Sequence, residues 1–229
     1  MAEPGVVDAV SLYLERSRNK FARGSDEYYA RKCLEAALAA YHLKNYGIGA
    51  LAVVHEGMTA REGTAGNRMV SGSGVVDHAE TRALLRIANG EAADTEYQLE
   101  SAPPHGLSVF GTLEPCPMCA CVMTNAGATR SVSTVEDAHL VENSGFFLSD
   151  GAANVLGDKS KTQPAIWQSI QQGRGLRFEL LSTADAELQA LSRRIFEETR
   201  STIDQHLSDR THLGHAIAVR DLYRARFQR

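Results

Sequence analysis

The chain has 229 residues, 43% of them hydrophobic, and 28 acidic against 24 basic side chains give a formal net charge of −4. That supplies enough apolar chain for one large domain, or one domain with an appendage, and the acidic balance excludes a globally basic nucleic-acid footprint. Four cysteines, three of them crowded between Cys116 and Cys121, argue against a disulfide framework and for a reducing, cytoplasmic setting. The first residues, MAEPGVVDAV, do not read as an export signal, and no apolar run is long enough to span a bilayer.

Val6, Ala9, Val10, Tyr13 and Leu14 fall at helical spacing, which predicts an amphipathic helix over 6–22. Gly24-Ser25 breaks it, and Ser25 with Asp26 and Glu27 starts a second helix whose stripe runs through Ala30, Cys33, Leu34, Ala37, Leu38 and Tyr41. Residues 47–54, GIGALAVV, read as a strand buried on both faces. The glycine-rich stretch from Gly57 to Asn67 reads as a turn, with Met69-Val70 as the returning strand. A helix is predicted from Asp77 to near Gly90, a polar loop over 91–106, and a strand over 107–113. Pro117 opens a helix that Ala126-Gly127 closes, and 129–135 alternates as a strand should. Pro164 can start a short helix carrying Ile166 and Trp167, 176–181 reads as a last strand, and helices follow over 184–207 and to the C-terminus. Alternating helices and strands predict a mixed sheet covered by helices on both faces.

The chemistry concentrates in Gly111–Cys121, GTLEPCPMCAC. Cys116 is placed to cap the helix that Pro117 opens. Cys119 lies about 300° further round, so both sulfurs share a face and can reach one metal ion. Cys121, about 200° past Cys119, should point away from that ion and into the core. A catalytic zinc site needs a third protein ligand and an open position for water. His78 can supply the ligand, and Glu80, two residues on at the start of its own helix, can reach the open position. Two thiolates and one neutral imidazole leave the site formally neutral, so a carboxylate that accepts a proton from the water has a chemical purpose. Taken singly, each feature has another reading. A C-x-x-C pair also makes structural or redox sites, Asp77 with Glu80 also makes a capping box, and Gly66-Asn67-Arg68 is also a good turn.

His78-Ala79-Glu80 with Pro115-Cys116-Pro117-Met118-Cys119 resembles the H-x-E and P-C-x-x-C signature of zinc-dependent nucleobase deaminases, the cytidine and deoxycytidylate deaminase-like superfamily. The wording is closest to the branch of guanine deaminases and tRNA adenosine deaminases. That branch also carries an asparagine upstream of the histidine, where Asn67 stands. The resemblance implies an α/β fold, a three-layer α/β/α sandwich around a five-stranded mixed sheet, over roughly 26–183. Residues 1–25 and 184–229 would be N- and C-terminal helical extensions. It implies one zinc ion per chain on His78, Cys116 and Cys119, proton transfer by Glu80, and base contacts from Asn67 and Ala79. Asp137 and His139, at a strand end, and Phe146 and Phe147, as ring-stacking or lid residues, are further substrate-contact candidates. The expected partners are a small base or nucleoside and a second copy in a homodimer, with no membrane. A tRNA substrate has the basic tail (Arg220, Arg224, Arg226, Arg229) in its favour, but the sequence shows no basic stripe beside the zinc motifs. A silent zinc scaffold is a third reading, opposed by the intact Glu80. His206, His212 and His215 match no metal-site spacing and read as surface histidines.

Overall fold

A computed structural model describes residues 5–56, 59–72, 76–91, 97–98, 106–136 and 175–208. The expected second strand appears, but in a different place. β1 (Gly49–Glu56) pairs antiparallel with β2 (Thr59–Gly66), with Gly49 opposite Gly66 and Glu56 opposite Thr59. The segment read as a turn is therefore a full strand. Its two glycines and polar residues disguise it, because pairing with β1 and helix packing on both faces outweigh its weak intrinsic β-propensity. Met69 and Val70, read as the returning strand, lie in a turn, where the Asn45 side-chain oxygen accepts from the amides of Val70 and Ser71 at 2.9 and 3.0 Å.

β1 also pairs antiparallel with β4 (Gly106–Leu113), which runs parallel to β5 (Ala128–Val135), and β5 runs parallel to β6 (Arg177–Leu180). These five strands form the expected mixed sheet. A two-residue strand, β3 (Tyr97–Gln98), adds a sixth at the edge by pairing with Thr59 and Ala60, inside a segment that reads as loop.

Among the described residues the helices are α1 (Val6–Arg16), α2 (Asp26–His42), α3 (Ala79–Ala88), α4 (Pro117–Asn125) and α5 (Ala186–Ser208). α1 stops at Arg16, six residues short of its predicted end. β1 shows why the sheet needs helices on both sides. Leu51 and Val53 join one apolar cluster with Phe110, residues of α1 and α2, and Leu188, Leu191 and Ile195 of α5. Ala50 and Ala52 point the other way, to Ala79, Ala83, Cys119 and Met123 of α3 and α4. Large side chains fill the first face, and small ones admit α3 and α4 close to the second. Gly63 of β2 shows how close: a Cβ there would lie 2.7 Å from the Ala83 carbonyl oxygen of α3. Among the described residues no helix is long and apolar enough to cross a membrane.

The helices outside the sheet's strand–helix alternation are tied together by one carboxylate. Asp185 accepts from the Leu188 amide at 3.1 Å in the first turn of α5. It also accepts from the Tyr13 hydroxyl of α1 at 2.9 Å and from Lys20 at 2.6 Å. Burial acts to raise its pKa, but the Lys20 and Tyr13 hydrogen bonds outweigh burial and hold it below the usual carboxylate value. A pKa depressed on folding contributes stability that is present above the unfolded value of about 4 and is lost as pH falls through the folded value. Asp185→Ala removes a helix cap and strands the buried Tyr13 hydroxyl, an expected loss of about 2–3 kcal/mol. Urea unfolding at pH 7 measures it; an unchanged midpoint would show that the tie is not used. In Asp185→Asn, which keeps the cap, the acid limb of the stability profile should flatten.

Candidate active site

The site forms where two helices begin at the same end of the sheet. β4 runs into Glu114, whose amide donates to the Val135 carbonyl at 3.0 Å and carries the parallel pairing one residue past the strand. The chain then turns through Pro115 to Cys116, the N-cap of α4 with extended φ −68° and ψ 164°, and Pro117 takes the first helical position. α3 starts in the same manner, with His78 as its N-cap at φ −69° and ψ 152°. The capping-box alternative places Asp77 at the N-cap, and the structure removes it: the helix begins one residue later, with no side-chain cap bond from His78.

Both caps carry ligand atoms, and the atoms converge. Cys116 Sγ lies 3.6 Å from His78 Nδ1, Cys119 Sγ lies 3.5 Å from the same nitrogen, and the sulfurs are 3.5 Å apart. Tetrahedral zinc with ordinary bond lengths sets S···S at about 3.8 Å and S···N at about 3.6 Å. The triangle therefore fits zinc to within a few tenths of an ångström. Among the described residues these three are the metal-capable cluster, two half-buried and Cys119 fully buried.

His78, Cys116, Cys119 and Glu80 form one titrating cluster. The hydrogen bond shared with Cys119 outweighs burial and lowers the Cys116 thiol to about 4, with His78 helping. Cys119 moves the other way, because that bond, burial and the Glu80 charge all keep its proton on. Burial opposes protonation of His78, yet its hydrogen bond and attraction to Cys116 raise its pKa. Glu80 is 5% exposed; burial, followed by the Cys116 charge, pushes it up to about 6. A buried carboxylate against three metal-ligand atoms is equipped to exchange protons.

The other sequence candidates divide. Asn67 follows the last residue of β2, and the register sets that end of β2 beside the end of β4: Gly66 opposes Gly49, and Ala50 opposes Gly111. Asn67 is 2% exposed, its amide donates to Ile48, and its side-chain oxygen accepts from the Met69 amide at 2.9 Å. It shapes its turn as well as standing at the site's end of the sheet. Ala79 is fully buried, its methyl group packed in the core under α3. Asp137, His139, Phe146 and Phe147 lie outside the described residues, as do His212, His215 and the basic tail. Cys121 points away from the ligand triangle, as expected, but is exposed rather than buried in the core. Its helix covers the sheet with Cys119, Ala120 and Met123, and the opposite side meets solvent.

Two features escaped the sequence reading. Glu114 is a buried carboxylate two residues before Cys116, and an acid between an apolar strand and Pro115 was the available signal. Arg82, one turn after His78, donates to the Gly66 carbonyl and so fastens α3 to the Asn67 turn; its i+4 spacing was legible, but its acceptor 16 residues upstream was not.

Comparison with known proteins agrees with this geometry. The family described as the cytidine and deoxycytidylate deaminase zinc-binding region matches residues 23–135, a span containing all three ligands and Glu80. A comparison with curated proteins yields no match. Among solved structures, NE0047 in complex with 2,6-diaminopurine is 18% identical, with a TM-score of 0.51 over 83% of this chain and 89% of that one. A guanine deaminase from Nitrosomonas europaea is 18% identical, with a TM-score of 0.49 over 82% and 92% of the two chains. A tRNA:A34 deaminase is 21% identical, with a TM-score of 0.47 over 74% and 99%. The likeness to NE0047 shows the fold. The family match, with the His78–Glu80 and Cys116–Cys119 motifs inside its span, makes the chain a member of the cytidine and deoxycytidylate deaminase-like superfamily.

Proposed function

We propose that the chain is a hydrolytic deaminase that converts an exocyclic amino group on a nucleobase, nucleoside or related small heterocycle to a carbonyl and releases ammonia. The observation that carries this reading is Glu80, a buried carboxylate in the first turn of α3, two residues after His78, whose charge is coupled to Cys116 and His78. A silent scaffold has no use for a carboxylate held there. A neighbour of this fold holds 2,6-diaminopurine, an amino-bearing heterocycle, which supports this reading.

His78, Cys116 and Cys119 would hold a single zinc ion per chain, which when bound supplies Lewis acidity and lowers the pKa of water. The protein's own groups do the rest. Glu80 accepts a proton from the attacking water as oxygen bonds to the amino-bearing ring carbon. It delivers that proton to the adjacent ring nitrogen, then takes the remaining hydroxyl proton and gives it to the amine as the C–N bond breaks. Water and the amino compound are consumed, and the carbonyl compound and ammonia are formed. Burial of Glu80 and Cys119 keeps bulk water from competing for the proton. Asn67 would hold the ring by its side-chain amide and the backbone at Ala79 would accept or donate at the ring edge. Asp137, His139, Phe146 and Phe147 complete the proposed contacts from outside the described residues.

Ammonia release by the zinc-loaded protein against free bases, nucleosides, aminotriazines and pterins tests this directly. Turnover of at least one is expected, and silence across the panel with zinc bound would overturn the proposal. Glu80→Gln should retain zinc while losing at least about a hundredfold in kcat, the usual scale of a general acid–base; a near-normal rate would remove Glu80 from its role. Metal analysis of two serine variants separates ligand from bystander. Cys119→Ser should lose most of its zinc, and Cys121→Ser should keep a full complement.

A further inference from the structure

Helix α2 ends in a closed loop of hydrogen bonds that aims the residue after it. Leu43 is the C-cap, and Lys44 takes the left-handed conformation at φ 60°. The Lys44 amide donates to the Tyr41 carbonyl at 2.9 Å, and the Asn45 amide donates to the Ala40 carbonyl at 3.0 Å. This is the Schellman arrangement, with lysine where glycine is usual, so the backbone accepts about 1–2 kcal/mol of strain to close it. Its effect is to fix where Asn45 leaves the helix.

Asn45 is fully buried, and its side chain uses all of its hydrogen-bonding capacity. Oδ1 accepts from the Val70 and Ser71 amides at 2.9 and 3.0 Å. Nδ2 donates to the Leu43 carbonyl at 3.1 Å and to Ser71 Oγ at 2.8 Å. An acceptor shared by two amides beside two donors is the inventory of a carboxamide, which neither aspartate nor serine reproduces. Of these four bonds, only the one to Leu43 stays near the end of α2; the others reach the turn that follows β2.

The residues after Asn45 hold the other end of the same turn. The Ile48 carbonyl accepts from the Asn67 amide at 2.8 Å, and the Gly47 amide donates to Thr199 Oγ1 of α5, also at 2.8 Å. Gly47 lies so close to α5 that a Cβ there would sit 2.6 Å from the Ile195 carbonyl oxygen. The support is therefore fastened to the large-residue face of the core. On its far side the turn meets the start of α3, where the Arg68 amide donates to the carbonyl of Asp77, the residue before His78, at 2.9 Å. Between these supports, Asn67 Oδ1 accepts from the Met69 amide, so the direction of the Asn67 carboxamide follows the path of residues 68–71.

We propose that Asn45 is a positioning residue for the reaction: by holding Val70 and Ser71 it fixes the turn that aims Asn67 at the substrate ring. It acts through Asn67 and not by touching the ligand triangle. Its effect on catalysis rests on the deaminase reading above; its hold on the turn does not.

A double-mutant cycle on the full-length, zinc-loaded protein tests this, with amide hydrogen exchange measured on the same samples. The variants are Asn67→Ala, Asn45→Ala and the two combined. With whichever base, nucleoside, aminotriazine or pterin is turned over best, Asn45→Ala should lose about tenfold or more in kcat/KM at unchanged zinc content. The loss should divide between kcat and KM as it does in Asn67→Ala. Once Asn67 is alanine, removing Asn45 should cost less than about twofold, because the group it aims is gone. A merely structural role would cost as much with Asn67 absent as with it present. The Val70 and Ser71 amides should exchange about tenfold or more faster in Asn45→Ala. Should Asn45→Ala not fold, Asn45→Ser takes its place in the cycle, since its shorter side chain cannot hold both amides. Losses that multiply, or exchange that does not change, would overturn the proposal. Faster exchange with no ammonia from any compound defeats the deaminase reading and leaves the hold on the turn standing; turnover with multiplying losses does the reverse.

Discussion

Two helices must begin within a few ångströms of each other, and most of the architecture follows from that requirement. His78 and Cys116 are both N-caps, so the positive ends of α3 and α4 meet at the ligand triangle, where they favour thiolate and carboxylate. Bringing helices this close to the sheet and to each other requires small residues beneath them. Ala50 and Ala52 on β1, Ala79 and Ala83 on α3, and the bare backbone of Gly63 provide that space. A larger side chain at any of these positions would push a helix outward and open the 3.5–3.6 Å triangle. Leucine, isoleucine, phenylalanine and tyrosine are concentrated on the opposite face, where cohesion matters more than close approach. The sheet thus separates the work of stability from that of chemistry.

This division explains what could be read in the sequence. The C-x-x-C turn, its proline and the helix after it are local features, governed by backbone geometry within ten residues, and the structure has them as expected. The helix that carries His78 and Glu80 was legible too, although it begins at Ala79 and not at Asp77. The long first apolar strand was legible as buried on both faces, and its alternation divides Leu51 and Val53 from Ala50 and Ala52.

What was not legible depends on partners distant in the chain. β2 contains Arg61, Glu62, Gly63 and Thr64 and looks like a turn; only β1 and the close approach of α3 make it a strand. Cys121 looked apolar enough for the core, but α4 has only one covered face. The sequence also showed no basic stripe beside the zinc motifs, whereas folding gathers Arg68 from a turn and Arg82 and Arg86 from a helix into one concavity. Charge counted along a chain says little about charge gathered across a strand edge. Net charge is a property of composition, and potential is a property of the fold.

Asp185 gives the chain a time order as well as a tie. Its partner Tyr13 is 172 residues away, and the large-residue face of the sheet takes Leu188, Leu191 and Ile195 from the same late helix. During synthesis from the N-terminus, both zinc motifs leave the ribosome while that face still lacks its cover. The ligand thiols are therefore made before the core that supports them can close. The length of that stage is set by the distance in sequence between Cys119 and α5.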